Sequence, residues 1–248
     1  MLDGGTDQQW EKYGKRDPYF GVIRDEKYCL ENLNGQAIAD FFKSGEDYID
    51  YILKLIKQHL DPDFSPQKAV DFGCGVGRLV MPLARRSQQV VGMDVSEAML
   101  AEAMKNCDAH SFKNVDLIKS DDNLTQLQGQ YNLIHSYIVF QHIPVKRGER
   151  IFAQLLEHLA PNGIGVFHFT YAKSHPLNQI RSLVQAIPFS YNLLNLIKGR
   201  DFSAPYMQMN TYNLNRLLLI LQKSNIQRFY TEFKDHGGEL GVLLFFQK

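Results

Sequence analysis

Short apolar segments alternate with helical segments from residue 68 to residue 171, and this alternation constrains the fold more than any other feature. Strands that alternate with helices through short polar turns are typical of a doubly wound parallel sheet. We therefore predict an α/β, Rossmann-like fold with helices between the strands. The predicted strands of this region lie at 68–72, 89–94, 115–119, 131–139 and 164–171.

The two ends of the chain extend this pattern. Residues 34–60 place apolar side chains at spacings of three and four, which indicates a helix before the first strand. A helix at 214–221 is followed by strands at 228–233 and 242–246, with His236-Gly237-Gly238 between them. Glycines in so short a gap signal a hairpin, so we predict a seven-stranded sheet whose last strand is antiparallel.

Composition narrows the possible partners and compartments. The 248 residues include 27 Lys and Arg and 27 Asp and Glu, so the chain lacks the basic surplus of a typical nucleic-acid-binding protein. The three cysteines form neither a metal-spaced pair nor a disulfide framework. The start MLDGGTDQQW has acidic residues and no apolar core, so we do not expect it to act as a signal peptide, and no apolar run in the sequence is long enough to suggest a membrane span. We expect a soluble, cytoplasmic protein that binds neither nucleic acid nor membrane.

A glycine-rich turn follows the first predicted strand, in the stretch VDFGCGVGR. Its glycines are Gly73, Gly75 and Gly77, whereas a dinucleotide-binding loop reads G-x-G-x-x-G and would carry its third glycine where Arg78 stands. Asp71 lies just before the first glycine, where a carboxylate would repel a pyrophosphate. The turn is therefore expected to bind a ligand that is not a dinucleotide.

Acidic residues also end the next two predicted strands. Asp94 ends the second strand, where a carboxylate can accept hydrogen bonds from both hydroxyls of a ribose. Asp121 follows the third strand and can accept from the amino group of an adenine. Together with Asp71, these acids suit an adenosine that carries a cationic amino-acid tail, which describes S-adenosylmethionine.

Five stretches resemble the motifs of the class I S-adenosylmethionine-dependent methyltransferases in order and spacing. They cover roughly residues 68–172 and read AVDFGCGVGRL, VVGMDVSEAML, IKSDDNL, YNLIHSYIVFQHIP and LAPNGIGVFHF. The stretches WEKYGKRDPYFGVI and HGGELGVLLFFQK also look like a bacterial subgroup that acts on small molecules. The resemblance implies that the first motif holds the methionine portion, Asp94 the ribose and Asp121 the adenine, with Asp122 able to exchange roles with Asp121.

The pattern along the chain, together with the resemblance, predicts a division of the chain and a cofactor site. The expected regions are an N-terminal aromatic and helical segment at 1–60, a binding core at 66–172, a helical cap at 173–209 and a completing helix and hairpin at 210–248. The expected S-adenosylmethionine-binding residues are Tyr19, Asp71, Gly73, Cys74, Gly75, Gly77, Arg78, Asp94, Val95, Met99, Asp121, Asp122 and Ser136.

Several predicted strands end on the same edge of the sheet, which groups histidines that are distant in sequence. Ligands bind beyond the carboxyl ends of parallel strands, so these side chains are expected around one pocket. A histidine titrating near neutrality can remove a proton from a hydroxyl or amine acceptor. We expect His142 or His236 to do so, whereas His135 is expected to be a satisfied core residue. Substrate contacts are expected from Tyr13, Tyr137, His168, Tyr171 and Tyr206.

The expected function is metal-independent O- or N-methylation of a small organic molecule, with a homodimer formed through the cap. No carboxylate lies in 131–142, where catechol-type, metal-dependent methyltransferases need one. One alternative is a non-catalytic scaffold that binds S-adenosylmethionine. Another is a short-chain oxidoreductase, which is weaker because the single Tyr-x-x-x-Lys, from Tyr230 to Lys234, falls in a predicted strand.

Overall fold

A computed structural model describes residues 4–174 and 207–248 of the chain. Most of the cap expected at 173–209 lies outside the described residues, as do Tyr206 and the dimer contact assigned to that cap. No helix within the described ranges is both long enough and apolar enough to cross a membrane.

Three helices precede the sheet. They are α1 (Gly4–Arg16), α2 (Pro18–Val22) and α3 (Gly35–His59), with a 3-10 turn at Glu26–Tyr28 before the last of them. Asn34 begins α3 because its side chain accepts a hydrogen bond from the amide of Ala37. The helix predicted at 34–60 is thus confirmed almost to the residue.

Strands and helices then alternate as predicted. The strands are β1 (Lys68–Phe72), β2 (Gln89–Asp94), β3 (Val115–Lys119), β4 (Tyr131–Ser136), β5 (Leu159–Lys173), β6 (Arg228–Asp235) and β7 (Glu239–Gln247). The helices that follow α3 are α4 (Val80–Ala84), α5 (Glu97–Ala109), α6 (Val145–Glu157) and α7 (Leu214–Lys223).

All seven strands form one sheet in the order β3-β2-β1-β4-β5-β7-β6. The first five strands pair in parallel, and β7 runs antiparallel to both β5 and β6. The Rossmann-like fold and the antiparallel last strand are therefore confirmed. Because β1 and β4 are neighbours at the point where the strand order reverses, their carboxyl ends open a crevice there.

Alternating side chains of the central strands pack against helices on both faces. Val70 and Phe72 of β1 join a core with α6 and α7, whereas Ala69 joins a second core with α3 and α4. Asp71 shares a face with Ala69 because successive residues of a strand point in opposite directions. The acid therefore points toward the α3 side of the sheet.

The helix after the glycine turn is short, since α4 spans only Val80–Ala84. Proline has no N–H group and is tolerated only in the first turn of a helix, so Pro82 requires the helix to begin close before it. Arg78 consequently lies in the turn, and its side chain is free to leave the helix surface.

Helix α1 is joined to the carboxyl edge of the sheet by polar contacts. Arg147 of α6 donates to both carboxylate oxygens of Asp7, at 2.7 and 2.8 Å. Glu11 accepts from the hydroxyl of Ser96 and from the amide of Ala98 at the start of α5. These contacts join α1 to the start of α5 and to α6.

Gly165 tests the packing between β5 and β7. A Cβ atom at this position would lie 2.2 Å from the ring of Phe246, which is fully buried. We expect Gly165→Ala to lower the free energy of unfolding by about 1–3 kcal/mol through overpacking. Gly35→Ala is the matched control, because nothing lies within 4 Å of its Cβ. Denaturant unfolding of both variants checks this, and equal stability would contradict the packing.

Candidate active site

A cavity of about 780 Å³ lies at the carboxyl edge of the parallel strands, below α1. The ends of β1, β2 and β4 form its floor, and residues of α1 and of the β6–β7 hairpin form parts of its wall. Thirteen of the expected site residues line this cavity: Tyr13, Asp71, Gly73, Cys74, Gly75, Arg78, Asp94, Val95, Met99, Asp121, Tyr137, His142 and His236.

The glycine turn is held by the end of β2. The amides of Gly73 and Cys74 both donate to the carbonyl of Met93, at 2.7 and 2.9 Å. Gly73 has φ of +78°, and a Cβ there would lie 2.3 Å from Val139. Glycine is therefore required at this position for both its conformation and its close approach to the chain.

Asp94 links the same turn to β2 and also faces the cavity. One of its carboxylate oxygens accepts from the amide of Gly75 and the other from the amide of Ser96, each at 2.9 Å. Burial disfavours the charged form and raises the pKa of Asp94 to about 6, against the lowering effect of these amides. The carboxylate is thus oriented in advance, with its remaining lone pairs available to a ligand.

Asp71 is paired with a histidine that the sequence assigned to the core. The carboxylate of Asp71 accepts from Nδ1 of His135 at 2.8 Å, and Nε2 of His135 lies 3.2 Å from the hydroxyl of Tyr48. His135 is fully buried and satisfied as expected, but its contact with Asp71 was not predicted. The two residues are direct neighbours in the register of β1 and β4, and that register could have revealed the pair.

Arg78 is a buried cation with few partners. The side chain is 8% exposed, and its best hydrogen bond is a 3.4 Å contact with the hydroxyl of Ser44. Its Nε has no hydrogen-bond partner among the described residues. Burial lowers the pKa of this guanidinium below its usual value. An anionic group in the cavity would find an unsatisfied donor here.

The two acids after β3 have different roles. Asp121 lines the cavity and caps a turn by accepting from the hydroxyl of Thr125 and from the amides of Asn123 and Thr125, and these hydrogen bonds keep its pKa below the usual value. Asp122 instead forms ion pairs with Arg147 and Arg150 on α6, outside the cavity wall. The expectation that Asp122 could replace Asp121 is not supported by this placement, because its carboxylate is already paired.

Two aromatic residues of α1 cover the cavity, and one of them differs from the prediction. Trp10 and Tyr13 both line it, and their rings lie 5.5 Å apart. Trp10 is not among the residues that the sequence assigned to the site. Tyr19, which was expected to cover the cofactor, is buried away from the cavity, and its hydroxyl donates to Glu102 and Asn106 at 3.0 Å.

The three candidate rim histidines occupy three different environments. His142 lines the cavity, and Nδ1 donates to the backbone carbonyl of Gln208 at 2.7 Å. His236 lies at the exposed edge of the cavity on the β6–β7 hairpin. His168 is fully buried behind it, with ring centres 5.1 Å apart, and does not line the cavity.

Four more expected residues also lie outside the cavity wall, within the described ranges. The hydroxyl of Ser136 is used internally, because it donates to the carbonyl of Phe72 at 2.9 Å. Tyr171 packs against Phe233, with ring centres 5.8 Å apart, and against the core shared by β1, α6 and α7. Gly77 turns toward Ala103 of α5, whose Cβ lies 3.5 Å from the position of an added Cβ. Asp122, described above, completes this group.

Sequence patterns missed several residues of the wall. Arg147, Ser44, Tyr48, Lys173 and Glu239 all line the cavity, although none of them lies in the motif stretches as an expected ligand. Glu239 begins β7 directly after the hairpin glycines, and its place at the carboxyl edge follows from the same topology as that of His236. That topological signal could have identified Glu239.

Comparison with known proteins identifies methyltransferases that are similar to this chain in sequence or in fold. A family model described as "Methyltransferase domain" matches residues 69–163, which include β1 to β4 and the cavity floor. A 23S rRNA uracil-C5-methyltransferase of Photobacterium angustum is 26% identical over 161 residues, covering 62% of this chain and 70% of that protein. The magnesium-protoporphyrin O-methyltransferase of Synechocystis is 34% identical over 86 residues, covering 34% of this chain and 37% of the enzyme's length.

The overall shape also matches a solved methyltransferase. The crystal structure of the Synechocystis magnesium protoporphyrin IX methyltransferase with bound S-adenosylhomocysteine covers 98% of this chain and 99% of its own, with a TM-score of 0.66 and 17% identity. Residues 69–163 therefore match the model of a methyltransferase domain, and the chain shares its overall fold with the Synechocystis structure.

Proposed function

We propose that this protein transfers a methyl group from S-adenosylmethionine to an oxygen or nitrogen of a small organic molecule, without a metal ion. The observation that carries the proposal is the Asp94 carboxylate, which bonds to the glycine turn and still faces the cavity within the methyltransferase domain. The solved Synechocystis enzyme with a bound S-adenosylhomocysteine supports the same cofactor.

The cavity fits the adenosine part of the cofactor at the β2 and β3 end. Asp94 would accept from the ribose hydroxyls, and Asp121 would accept from the adenine amino group. Met99 and Val95 line the same end, and Trp10 of α1 also lines the cavity. An aromatic ring and a thioether next to a flat purine supply apolar contact that polar groups alone would not give.

The methionine part would lie over the glycine turn. Asp71 can accept from the ammonium group, and its pairing with His135 holds that carboxylate in place. Arg78, whose Nε is unpartnered among the described residues, can donate to the carboxylate of the amino acid. The carboxylate of Asp71 would repel a pyrophosphate, which disfavours a dinucleotide in the same place.

When it is bound, S-adenosylmethionine supplies a methyl carbon activated by its sulfonium, so the cofactor carries the difficult chemistry. The residues of the chain have three tasks, which are to hold the acceptor in line with that carbon, to exclude water and to receive the acceptor's proton. The aromatic cover and the buried floor serve the first two tasks. The third requires a basic group that can reach the acceptor.

His142 is a poorer base than its place in the wall suggests. Its Nδ1 donates to a backbone carbonyl, so the free lone pair is on Nε2, which lies 3.2 Å from the amide nitrogen of Gln141. Thr170 donates to the amide oxygen of Gln141 at 2.7 Å, and this contact turns the nitrogen toward His142. Burial lowers the pKa of His142 to about 4. We therefore propose that His142 orients a ligand and that His236, at the cavity edge, receives the proton.

The similarity to an rRNA uracil-C5-methyltransferase raises the question of a nucleic-acid substrate. Methylation at a pyrimidine C5 needs a nucleophilic cysteine, which must be present as a thiolate. Burial raises the pKa of Cys74 and Cys107, the latter to about 11, and also raises that of Cys29. The cysteine environments and the balanced charge support a small-molecule acceptor instead.

Asp94→Asn tests the cofactor assignment. Asparagine retains one acceptor oxygen but loses the charge, and a hydrogen bond to a charged group contributes about 1.5–3 kcal/mol. We expect the affinity for S-adenosylhomocysteine to fall by about tenfold or more in calorimetry. Asp116→Asn, on the exposed edge of β3, is the control and is expected to bind normally. Tighter binding of NAD than of S-adenosylhomocysteine to the native protein would overturn the proposed function.

Affinity for the cofactor should also depend on pH. Since the pKa of Asp94 is raised to about 6, the carboxylate loses its charge and an acceptor lone pair as the pH falls through that value. We expect adenosine, which lacks the titrating amino-acid tail, to bind progressively more weakly from pH 7.5 to pH 5. The slope should vanish in Asp94→Asn, and a flat profile for the native protein would show that Asp94 does not hold the ribose.

The protonation of His142 can be measured directly. Its folded-state pKa of about 4 lies below the unfolded value, so the imidazole should stay neutral in ¹⁵N NMR spectra from pH 8 down to pH 5. Burial of the neutral His142 imidazole contributes to the free energy of unfolding above the unfolded pKa. This contribution is lost as the pH falls from about 6.5 to about 4. Titration of His142 near pH 6.5 would restore it as the candidate base.

A further inference from the structure

Glu239 is a charged residue of the cavity wall that has no part in the proposed cofactor contacts. It is the first residue of β7 and pairs in register with Lys173 at the end of β5, so both side chains begin at the carboxyl edge of the sheet. Both residues line the cavity, and their side chains are 17% and 9% exposed. A carboxylate this far removed from water requires hydrogen-bond partners.

One oxygen of Glu239 lacks such a partner. Oε1 lies 3.8 Å from Nζ of Lys173, which is too long for a hydrogen bond. The ammonium donates instead to the backbone carbonyl of Met209 at 3.2 Å. Oε2 is buried and makes no hydrogen bond to any residue in 4–174 or 207–248. Leaving a buried acceptor unsatisfied costs about 1–3 kcal/mol, more for a charged group, so the site favours a molecule that donates to this oxygen.

The cavity that Glu239 lines also carries apolar and aromatic side chains. Met207 and Met209 line the same cavity, and so do the rings of Tyr137 and His236, whose centres lie 6.1 Å apart. This arrangement fits a small molecule with an apolar or aromatic body and a hydrogen-bond donor. A second carboxylate would be repelled by Glu239, so an acidic group facing it is disfavoured.

The sheet order separates Glu239 from the adenosine end of the cavity. Asp94 ends β2, and β7 lies four strands away in the order β2-β1-β4-β5-β7. Adjacent strands are about 4.8 Å apart, so the two side chains begin roughly 19 Å from each other across the sheet. The glycine turn that would hold the methionine lies between them. Glu239 therefore faces the end of the cavity that remains for the acceptor.

From these contacts we infer that Glu239 binds the methyl acceptor by accepting a hydrogen bond on Oε2 from a hydroxyl or amine of that molecule. This inference rests on the proposed methyl transfer, which assigns the other end of the cavity to the cofactor. It defines the acceptor class as a small, largely apolar molecule with an O–H or N–H group and no acid beside it. Lys173 positions Glu239 by its charge and by its bond to the carbonyl of Met209.

Matched pairs of small probes test the inference without knowledge of the natural acceptor. Phenol and anisole differ in an O–H donor, and aniline and N,N-dimethylaniline differ in N–H donors. Each probe is titrated into ¹⁵N-labelled protein saturated with S-adenosylhomocysteine, and dissociation constants are taken from NMR shifts. We expect at least one donor to bind about tenfold more tightly than its methylated partner, because its hydrogen bond is to a charged group. The pair that shows the preference distinguishes alcohols from amines.

Two variants and a control connect the preference to Glu239. Glu239→Met keeps the length of the side chain but removes both acceptors, so the preference should vanish, while Glu239→Gln should retain part of it. Glu157→Gln, an exposed acid on α6, should keep the native preference. Absence of any preference in the native protein, or its persistence in Glu239→Met, would overturn the inference. Failure to bind S-adenosylhomocysteine would instead count against the proposed function, and the probes can still be titrated into the free protein.

Discussion

The buried hydrogen bond between Asp71 and His135 supports the centre of the site. It joins β1 to β4, the two neighbours at which the strand order reverses, and it lies directly before the glycine turn. An unpaired carboxylate in this position would be costly to bury, and removing one partner of such a pair exposes that cost. Tyr48, on α3, contacts the other ring nitrogen of His135 through its hydroxyl. The sheet and α3 therefore both help to orient the carboxylate of Asp71.

The fold and the acidic floor of the cavity could be predicted because both depend on local pattern and on topology. Alternating strands and helices predict parallel neighbours, and parallel neighbours bring their carboxyl ends to one edge. Asp71, Asp94 and Asp121 each end or follow a strand, and all three line the cavity. His236 reaches the same edge because β6, two strands from β5, runs in the same direction.

The remaining wall depends on side-chain pairs between distant parts of the chain, which no local pattern encodes. Tyr19 has the right residue type and region, but Glu102 and Asn106 on α5 take its hydroxyl. Asp122 follows a strand just as Asp121 does, yet Arg147 on α6 neutralises it. The sequence pattern could not have shown these partners, because each pair joins side chains on elements that are separated in the chain by at least one strand or helix.

The two ends of the cavity differ in how fully their polar groups are satisfied. At the β2 end, Asp94 already accepts from two amides and needs a ligand only for its remaining lone pairs. Toward the other end, Arg78 and Glu239 each have a buried polar atom without a partner among the described residues. Burying such an atom costs free energy, because no hydrogen bond to a described residue replaces its hydrogen bonds to water. The unsatisfied guanidinium of Arg78 and carboxylate of Glu239 are explained most simply by ligands that carry the complementary groups. Binding such a ligand would supply the hydrogen bonds that these two side chains lack in the folded protein.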